Sequence, residues 1–132
     1  MNYLMINDMN EIIDKKTLVI GASENPERYA YKAVMKLQDK NYPVIAFGLR
    51  KGNINGQDIV TDFPNEKDIH TVTLYVGPKN QPAYYDQIIA LKPRRVIFNP
   101  GTENPEFEEK LTELGIEALE ACTLVMLASK QY

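Results

Sequence analysis

Short apolar runs alternate with longer segments of mixed apolar and polar residues along most of the chain. The runs over residues 17–21, 44–47, 71–76, 95–98 and 116–119 are rich in branched side chains and predict five strands. Because nearly every position in them is apolar, they are typical of parallel strands that are covered on both faces and joined by right-handed crossovers. The pattern therefore predicts an α/β fold.

The segments between these runs predict helices. Apolar residues recur there at helical spacing, which indicates helices from Pro26 to about residue 40 and over residues 82–91, 105–114 and 123–129. Asn104 and Pro105 have the cap-then-proline pattern of a helix start. Strands that alternate with helices in this way indicate helices on both faces of one sheet.

Two further segments complete the predicted single domain over residues 1–132. A short amphipathic helix over residues 8–15 is expected to pack its apolar side on the sheet. Residues 49–56 contain two glycines and two asparagines and are predicted to form a loop, with a short extended piece over 59–63.

The first strand ends in a turn that is suited to an anion. Gly21 follows the apolar run, Asn25 is predicted to cap the next helix, and Pro26 suits the first helical position. A strand, a tight turn and a helix N-terminus in this order present backbone N–H groups to phosphate. The turn holds a single glycine, so it lacks the three-glycine dinucleotide fingerprint.

The ends of four successive strands have small or turn-forming residues. They read Gly21-Ala22-Ser23, Gly48-Leu49-Arg50-Lys51, Gly77-Pro78-Lys79-Asn80 and Asn99-Pro100-Gly101. The carboxyl ends of parallel strands meet at one edge of a sheet, and small residues let a ligand approach the backbone closely there. We therefore predict a binding crevice at this edge.

The residues after strand two bear on which nucleotide would bind. An NAD site of the usual kind has an acidic residue there for the ribose hydroxyls, and this chain has none. Arg50 and Lys51 follow Gly48 instead. Two cations favour a phosphate on the adenosine ribose, as in NADP or coenzyme A, and disfavour plain NAD.

Composition narrows the classes of function. Apolar residues make up 44% and charged residues 25% of the 132 residues, as in an ordinary globular domain. The net charge of -3 gives no overall positive field, so neither nucleic acid nor an acidic membrane is an expected partner. We see no apolar run of membrane-spanning length and no secretory signal, and we expect a cytoplasmic protein.

Candidate catalytic groups are few. The single cysteine and single histidine leave little for a disulfide, a metal site or a histidine-based triad. His70 precedes strand three, at the end of the sheet opposite the predicted crevice, and Cys122 follows strand five without a feature that would activate its thiol. No nucleophile–base pair emerges, so we predict no catalytic residues, no bound metal and a binding role.

Taken in order, the motifs resemble those of a coenzyme A (CoA)-binding domain. They are Gly21-Ala22-Ser23 with Asn25-Pro26, the basic loop with Gly56 downstream, the strand end at 75–78, and Asn99-Pro100-Gly101 before an acidic helix. The likeness covers about residues 10–128. More narrowly, the chain resembles small stand-alone CoA-binding proteins akin to the N-terminal domain of the succinyl-CoA synthetase α subunit. The resemblance implies a three-layer, doubly wound, Rossmann-like parallel sheet of five strands.

The resemblance also implies where CoA would lie across the strand ends. Residues 21–23 would meet the pyrophosphate with Arg28 nearby, Arg50 or Lys51 would meet the ribose phosphate, and the turns at 77–80 and 99–101 would border the adenine or pantetheine. The predicted cofactor-binding residues are Gly21, Ala22, Ser23, Asn25, Arg28, Gly48, Arg50, Lys51, Gly77, Pro78, Asn99, Pro100 and Gly101. The chain departs from the family after strand two, where Gly48-Leu49-Arg50 replaces a frequent Asn-Pro-Lys.

Three functions stay open from the sequence. The first is a binding module for CoA or an acyl-CoA, the second an NADP-binding oxidoreductase-like domain, and the third a ligand-free interaction domain with the same fold. A homodimer or a partner subunit fits each of them. Under the first, we expect Gly21→Val to abolish CoA binding and to leave the sheet folded.

Overall fold

The computed structural model describes residues 15–132. The predicted N-terminal helix over residues 8–15 lies almost wholly outside this range. Within the described residues, no helix is both long enough and apolar enough to cross a membrane.

One sheet of seven strands organises the described part of the chain. In sheet order the strands are β3-β4-β2-β1-β5-β6-β7, and every neighbouring pair is parallel except β3 with β4. Since the chain runs from β1 outward to β2 and later returns to the other side of β1, the strand order reverses there. The strands are β1 Thr17–Ile20, β2 Val44–Phe47, β3 Gly52–Ile54, β4 Gln57–Val60, β5 Thr71–Leu74, β6 Arg95–Phe98 and β7 Glu117–Glu120.

The predicted count of five strands is wrong, because the segment expected to be a loop forms an antiparallel hairpin. β3 and β4 join through Asn55 and Gly56, whose φ angles are 48° and 88°. Two consecutive positive φ angles define the tight turn that matches the twist of a β-hairpin, and Asn-Gly is its preferred sequence. β4 then pairs in parallel with β2 and adds the hairpin to the sheet edge.

Four α-helices and one 3-10 helix follow the strands in the described range. They are α1 Tyr29–Asp39, the 3-10 helix Pro78–Tyr84, α2 Tyr85–Leu91, α3 Pro105–Glu113 and α4 Thr123–Ala128. α3 begins as predicted, because the Asn104 side chain accepts a hydrogen bond from the Phe107 amide at 3.2 Å.

The start of α1 differs from the prediction. The Asn25 side chain accepts a hydrogen bond from the Glu27 amide at 3.0 Å and closes a local turn, and the helix begins at Tyr29 with Arg28 in the capping position. α2 also begins later than predicted, because the segment around Pro82 adopts the tighter 3-10 helix.

The core lies on both faces of the sheet, as predicted for a doubly wound fold. On one face, alternate residues of β1, β5 and β6 pack with Ile88 of α2 and with Phe107 and Leu111 of α3. On the other face, the intervening residues pack with Val34 of α1 and Leu127 of α4. The described residues therefore form three layers. Among them, the start of α1 and the 3-10 helix flank an opening at the carboxyl ends of the central strands.

Candidate functional site

A cavity of about 1220 Å³ opens beyond the carboxyl ends of the central strands. Its walls come from the turns after β1, β2, β5 and β6 together with the first turn of α1. It lies where the strand order reverses between β1 and β5, which is where open α/β sheets bind their ligands.

Most of the predicted site residues line this cavity. The structure brings together Gly21, Ala22, Ser23, Asn25, Arg28, Gly48, Arg50, Lys51, Gly77, Pro100 and Gly101. Pro78 and Asn99 are outside its lining. Residues as far apart in sequence as Gly21 and Gly101 thus meet at one edge, because parallel strands place their carboxyl ends on the same side.

The turn after β1 requires a glycine at its first position. Gly21 has a φ of +99°, and a Cβ there would come within 2.9 Å of the Tyr75 carbonyl oxygen. Both features oppose any larger residue. A valine at Gly21 would therefore strain the fold as well as the site, so the Gly21→Val substitution does not separate binding from folding.

Gly48 holds the end of β2 close to the same turn. A Cβ at Gly48 would collide with the Ala22 carbonyl oxygen. The amides of Gly21 and Ala22 also both donate to the Phe47 carbonyl oxygen, each at 2.9 Å. The turn after β1 and the end of β2 are therefore packed as one unit.

These hydrogen bonds change which amides of the turn can meet an anion. Because the Gly21 and Ala22 amides are already bonded to Phe47, they are not available as donors to a phosphate. The amides of Ser23 and Glu24 have no acceptor within residues 15–132. Together with the N-terminus of α1, they are the donors that this turn offers.

Charged side chains surround one end of the cavity. Arg28, Arg50 and Lys51 are all exposed cations in its lining, and Glu24 and Glu27 are exposed carboxylates beside them. The Glu24 carboxylate accepts a hydrogen bond from the Asn53 amide of β3 at 2.9 Å. This end of the cavity therefore carries the positive side chains that a phosphate requires.

The other end of the cavity is uncharged and is braced by a buried glutamine. Gln81, which is fully buried, donates hydrogen bonds to the carbonyl oxygens of Val76 at 2.9 Å and Thr102 at 2.7 Å. Its Oε1 accepts from Asn104 Nδ2 at 2.9 Å. Gln81 thus ties the turn after β5 to the turn after β6 and fixes the width of this end.

Asn99 contributes to the scaffold beneath the cavity. Its side chain is 2% exposed, and Nδ2 donates to Thr73 Oγ1 at 2.7 Å and to the Leu74 carbonyl oxygen at 2.8 Å. Its Oδ1 accepts from the Thr123 amide at 2.9 Å, which ties the start of α4 to β6. Every polar atom of this side chain is bonded within the fold.

Tyr75, the residue that follows β5, is among the residues that line the cavity. Its hydroxyl is buried and has no hydrogen-bond partner among the described residues, while the neighbouring hydroxyls of Thr73 and Thr123 bond to each other at 2.8 Å. Burial raises the pKa of Tyr75 to about 12, and the proximity of the Thr123 and Thr73 hydroxyls opposes this rise.

The remaining candidates for chemistry lie outside the cavity lining. Cys122 is half-buried and precedes α4, and His70 lies at the opposite end of the sheet, where Nδ1 is 2.8 Å from Thr71 Oγ1. In residues 15–132 no group of three or more histidine, cysteine, aspartate or glutamate side chains is placed to hold a metal ion.

Comparison with known families identifies the fold. Residues 15–128 match the model of the CoA binding domain, which spans nearly all of the described chain. The chain belongs to the CoA-binding domain family. The resemblance inferred from the turn motifs is confirmed.

Several solved structures are similar to this chain in fold. The crystal structure of an uncharacterized protein is 47% identical, with a TM-score of 0.87, and the match covers 89% of this chain and 98% of that one. A hypothetical protein from Pyrococcus horikoshii OT3 is 27% identical, with a TM-score of 0.79 over 95% of this chain and 90% of that one.

A more distant likeness shows the fold alone. The dinucleotide-forming acetyl-coenzyme A synthetase 1 of Ca. Korarchaeum cryptofilum, solved with phosphate and ADP, is 16% identical. Its TM-score is 0.66, and the match covers 86% of this chain but 27% of the synthetase chain. No curated protein shows significant similarity to this sequence.

Proposed function

We propose that this protein binds coenzyme A or an acyl-CoA in the cavity at the carboxyl edge of its sheet. The observation that carries the proposal is the division of that cavity into a charged end, which holds three cations, and an uncharged end, in a chain of the CoA-binding domain family. CoA has the same division, because its phosphorylated adenosine diphosphate is anionic and its pantetheine arm is neutral.

Each end of the cavity offers groups that suit one part of CoA. The free amides of Ser23 and Glu24 and the N-terminus of α1 would receive the diphosphate. Arg50 and Lys51 would bind the ribose phosphate, with Arg28 near the diphosphate. The uncharged wall that Gln81 braces would accommodate the pantetheine arm.

Calorimetric titration of the full chain tests this assignment with four ligands, namely CoA, dephospho-CoA, NADPH and NADH. We expect CoA to bind most tightly and dephospho-CoA to bind about tenfold or more weakly, because it lacks the phosphate that Arg50 and Lys51 would contact. Binding of NADPH alone would replace the proposal with an NADP-binding domain. Binding of none of the four would favour an interaction domain that has only the fold.

A double variant locates the ribose phosphate. Arg50→Ala with Lys51→Ala is expected to weaken CoA binding by about tenfold or more and to leave dephospho-CoA binding nearly unchanged. The matched control is Lys40→Ala with Lys67→Ala, which removes the same charge from exposed positions outside the cavity. Equal weakening of both ligands by both double variants would indicate a general charge effect and would contradict the assignment.

A further inference from the structure

The basic segment that carries Arg50 and Lys51 is short and is held at both ends against the turn after β1. At one end, Gly48 packs on the Ala22 carbonyl oxygen so closely that no side chain fits there. At the other end, Gly52 packs on the side chain of Glu24, and a Cβ at Gly52 would come within 2.5 Å of Glu24 Cδ and Cγ. Only three residues bridge these two anchors.

A hydrogen bond completes the second anchor. The Glu24 carboxylate accepts from the Asn53 amide at 2.9 Å, and so joins the turn after β1 to the first strand of the hairpin. Asn53 is itself fixed within the hairpin, because its side chain donates to Asp58 Oδ1 at 2.9 Å and accepts from the Gly56 amide at 2.9 Å. The Glu24 carboxylate is thus hydrogen-bonded to a backbone amide of the hairpin.

The hairpin is also held by the sheet, because β4 pairs with β2, and its tip contacts α1. Gln38 of α1 donates to the Ile54 carbonyl oxygen at 3.3 Å and accepts from Asn55 Nδ2 at 3.1 Å. These bonds fix the hairpin tip against α1. In addition to the strand pairing, the contact between Glu24 and residues 52–53 links the hairpin base directly to the turn after β1.

We propose that Glu24 is a positioning residue that makes the site selective for ligands with a ribose phosphate. It holds the segment with Arg50 and Lys51 at a fixed place relative to the amides of Ser23 and Glu24. A ligand with two phosphate groups at a set separation would meet both sets of donors at once. This inference rests on the proposed function, since it assigns the ribose phosphate to the basic segment.

Four single variants separate position from charge. Glu24→Ala removes the acceptor, and Gly52→Ala displaces the Glu24 side chain without changing any charge. Glu24→Gln removes the charge and keeps an oxygen acceptor for the Asn53 amide. Glu27→Gln removes a second exposed carboxylate of the cavity lining that makes no side-chain hydrogen bond within the described residues.

The first measurement is the ratio of the Kd for dephospho-CoA to the Kd for CoA. We expect this ratio to fall about tenfold in Glu24→Ala and Gly52→Ala, because the phosphate contacts lose their fixed geometry. It should stay within about twofold of wild type in Glu24→Gln and Glu27→Gln. A residue that only stabilised the fold would weaken both ligands equally and leave the ratio unchanged.

The second measurement needs no ligand. Hydrogen exchange at the Asn53 amide, followed by NMR, is expected to speed up about tenfold in Glu24→Ala and to stay unchanged in Glu27→Gln. Unchanged exchange in Glu24→Ala would overturn the inference whatever the ligands do. Faster exchange with an unchanged ratio of Kd values would overturn the inference and leave the proposed function standing, whereas a wild type that binds neither ligand would overturn both.

Discussion

Gly21 lies so close to Tyr75 that a methyl group on its α-carbon would come within 2.9 Å of the Tyr75 carbonyl oxygen. The two residues directly follow β1 and β5, the strands between which the order of the sheet reverses. Their contact therefore draws together the two strand ends at the base of the cavity.

We expect Gly21→Ala to lower the free energy of unfolding by about 2 kcal/mol or more, because it combines a positive φ with this close approach. Urea unfolding measures the change. The matched control is Gly77→Ala, since Gly77 also lines the cavity but has a φ of -62° and no atom within 4 Å of an added Cβ. Gly77→Ala should change stability by less than about 0.5 kcal/mol. Equal effects of the two variants would contradict this reading of the contact.

The buried Asn99 side chain is expected to matter for folding. Asn99→Ala removes three hydrogen bonds and leaves the Leu74 carbonyl oxygen and the Thr123 amide without their partner. We expect a loss of about 2–3 kcal/mol in urea unfolding. Asn80→Ala, at an exposed asparagine of the cavity lining, should cost less than about 0.5 kcal/mol. If Asn99→Ala unfolded at the wild-type urea concentration, the network would contribute nothing to stability.

Tyr75 is expected to make stability depend on alkaline pH. The unfolded chain ionises tyrosine near pH 10, whereas burial raises the pKa of Tyr75 to about 12. Stability from the neutral phenol is therefore complete below about pH 10 and is lost as the pH rises toward about 12, by about 2 kcal/mol. Burial also raises the pKa of Tyr132, which adds to the same trend.

Tyr75→Phe tests this dependence through urea unfolding over that pH interval. It should reduce the alkaline loss, and near pH 7 it should leave stability unchanged or slightly higher, because the hydroxyl it removes has no hydrogen-bond partner in the described chain. Tyr29→Phe, at a side chain that is 66% exposed, should keep the full alkaline loss. An alkaline loss as steep in Tyr75→Phe as in wild type would contradict the prediction.

The hairpin turn offers a test of backbone conformation alone. Gly56→Ala introduces a Cβ into open space, so its cost comes from the φ of +88° and not from a clash. We expect a loss of about 1 kcal/mol. A Gly56→Asn variant should lose less, because asparagine tolerates positive φ better than alanine. The order of the two melting temperatures checks this, and the reverse order would count against a backbone origin.

Periodicity and strand ends predicted the features that depend on local sequence. The apolar runs identified β1, β2, β5, β6 and the region of β7, because parallel strands covered on both faces contain few polar residues. The hairpin was missed although Asn55-Gly56 is a recognised hairpin signal, since its strands are three and four residues long and largely polar.

Features that depend on contacts between residues distant in sequence leave no recognisable pattern in the local sequence. Asparagine is a common helix-capping residue, but the Asn25 side chain accepts a hydrogen bond from the Glu27 amide in a local turn that competes with the helix start. The bond from Asn53 to Glu24 spans 29 residues, and the bond from Gln81 to Thr102 spans 21. Pairings at such distances are fixed by the packing of whole elements, so one sequence cannot reveal them.

The two borders of the sheet are both poor templates for another strand. β7 forms one border and has exposed glutamates at both ends, Glu117 and Glu120. β3 forms the other border and is only three residues long. Charge and shortness are the means by which natural sheets avoid edge-to-edge association between molecules. The outer strands of the described fold therefore disfavour the addition of a strand from another molecule. The cavity lies elsewhere, at the carboxyl ends of the central strands, and is open to a ligand.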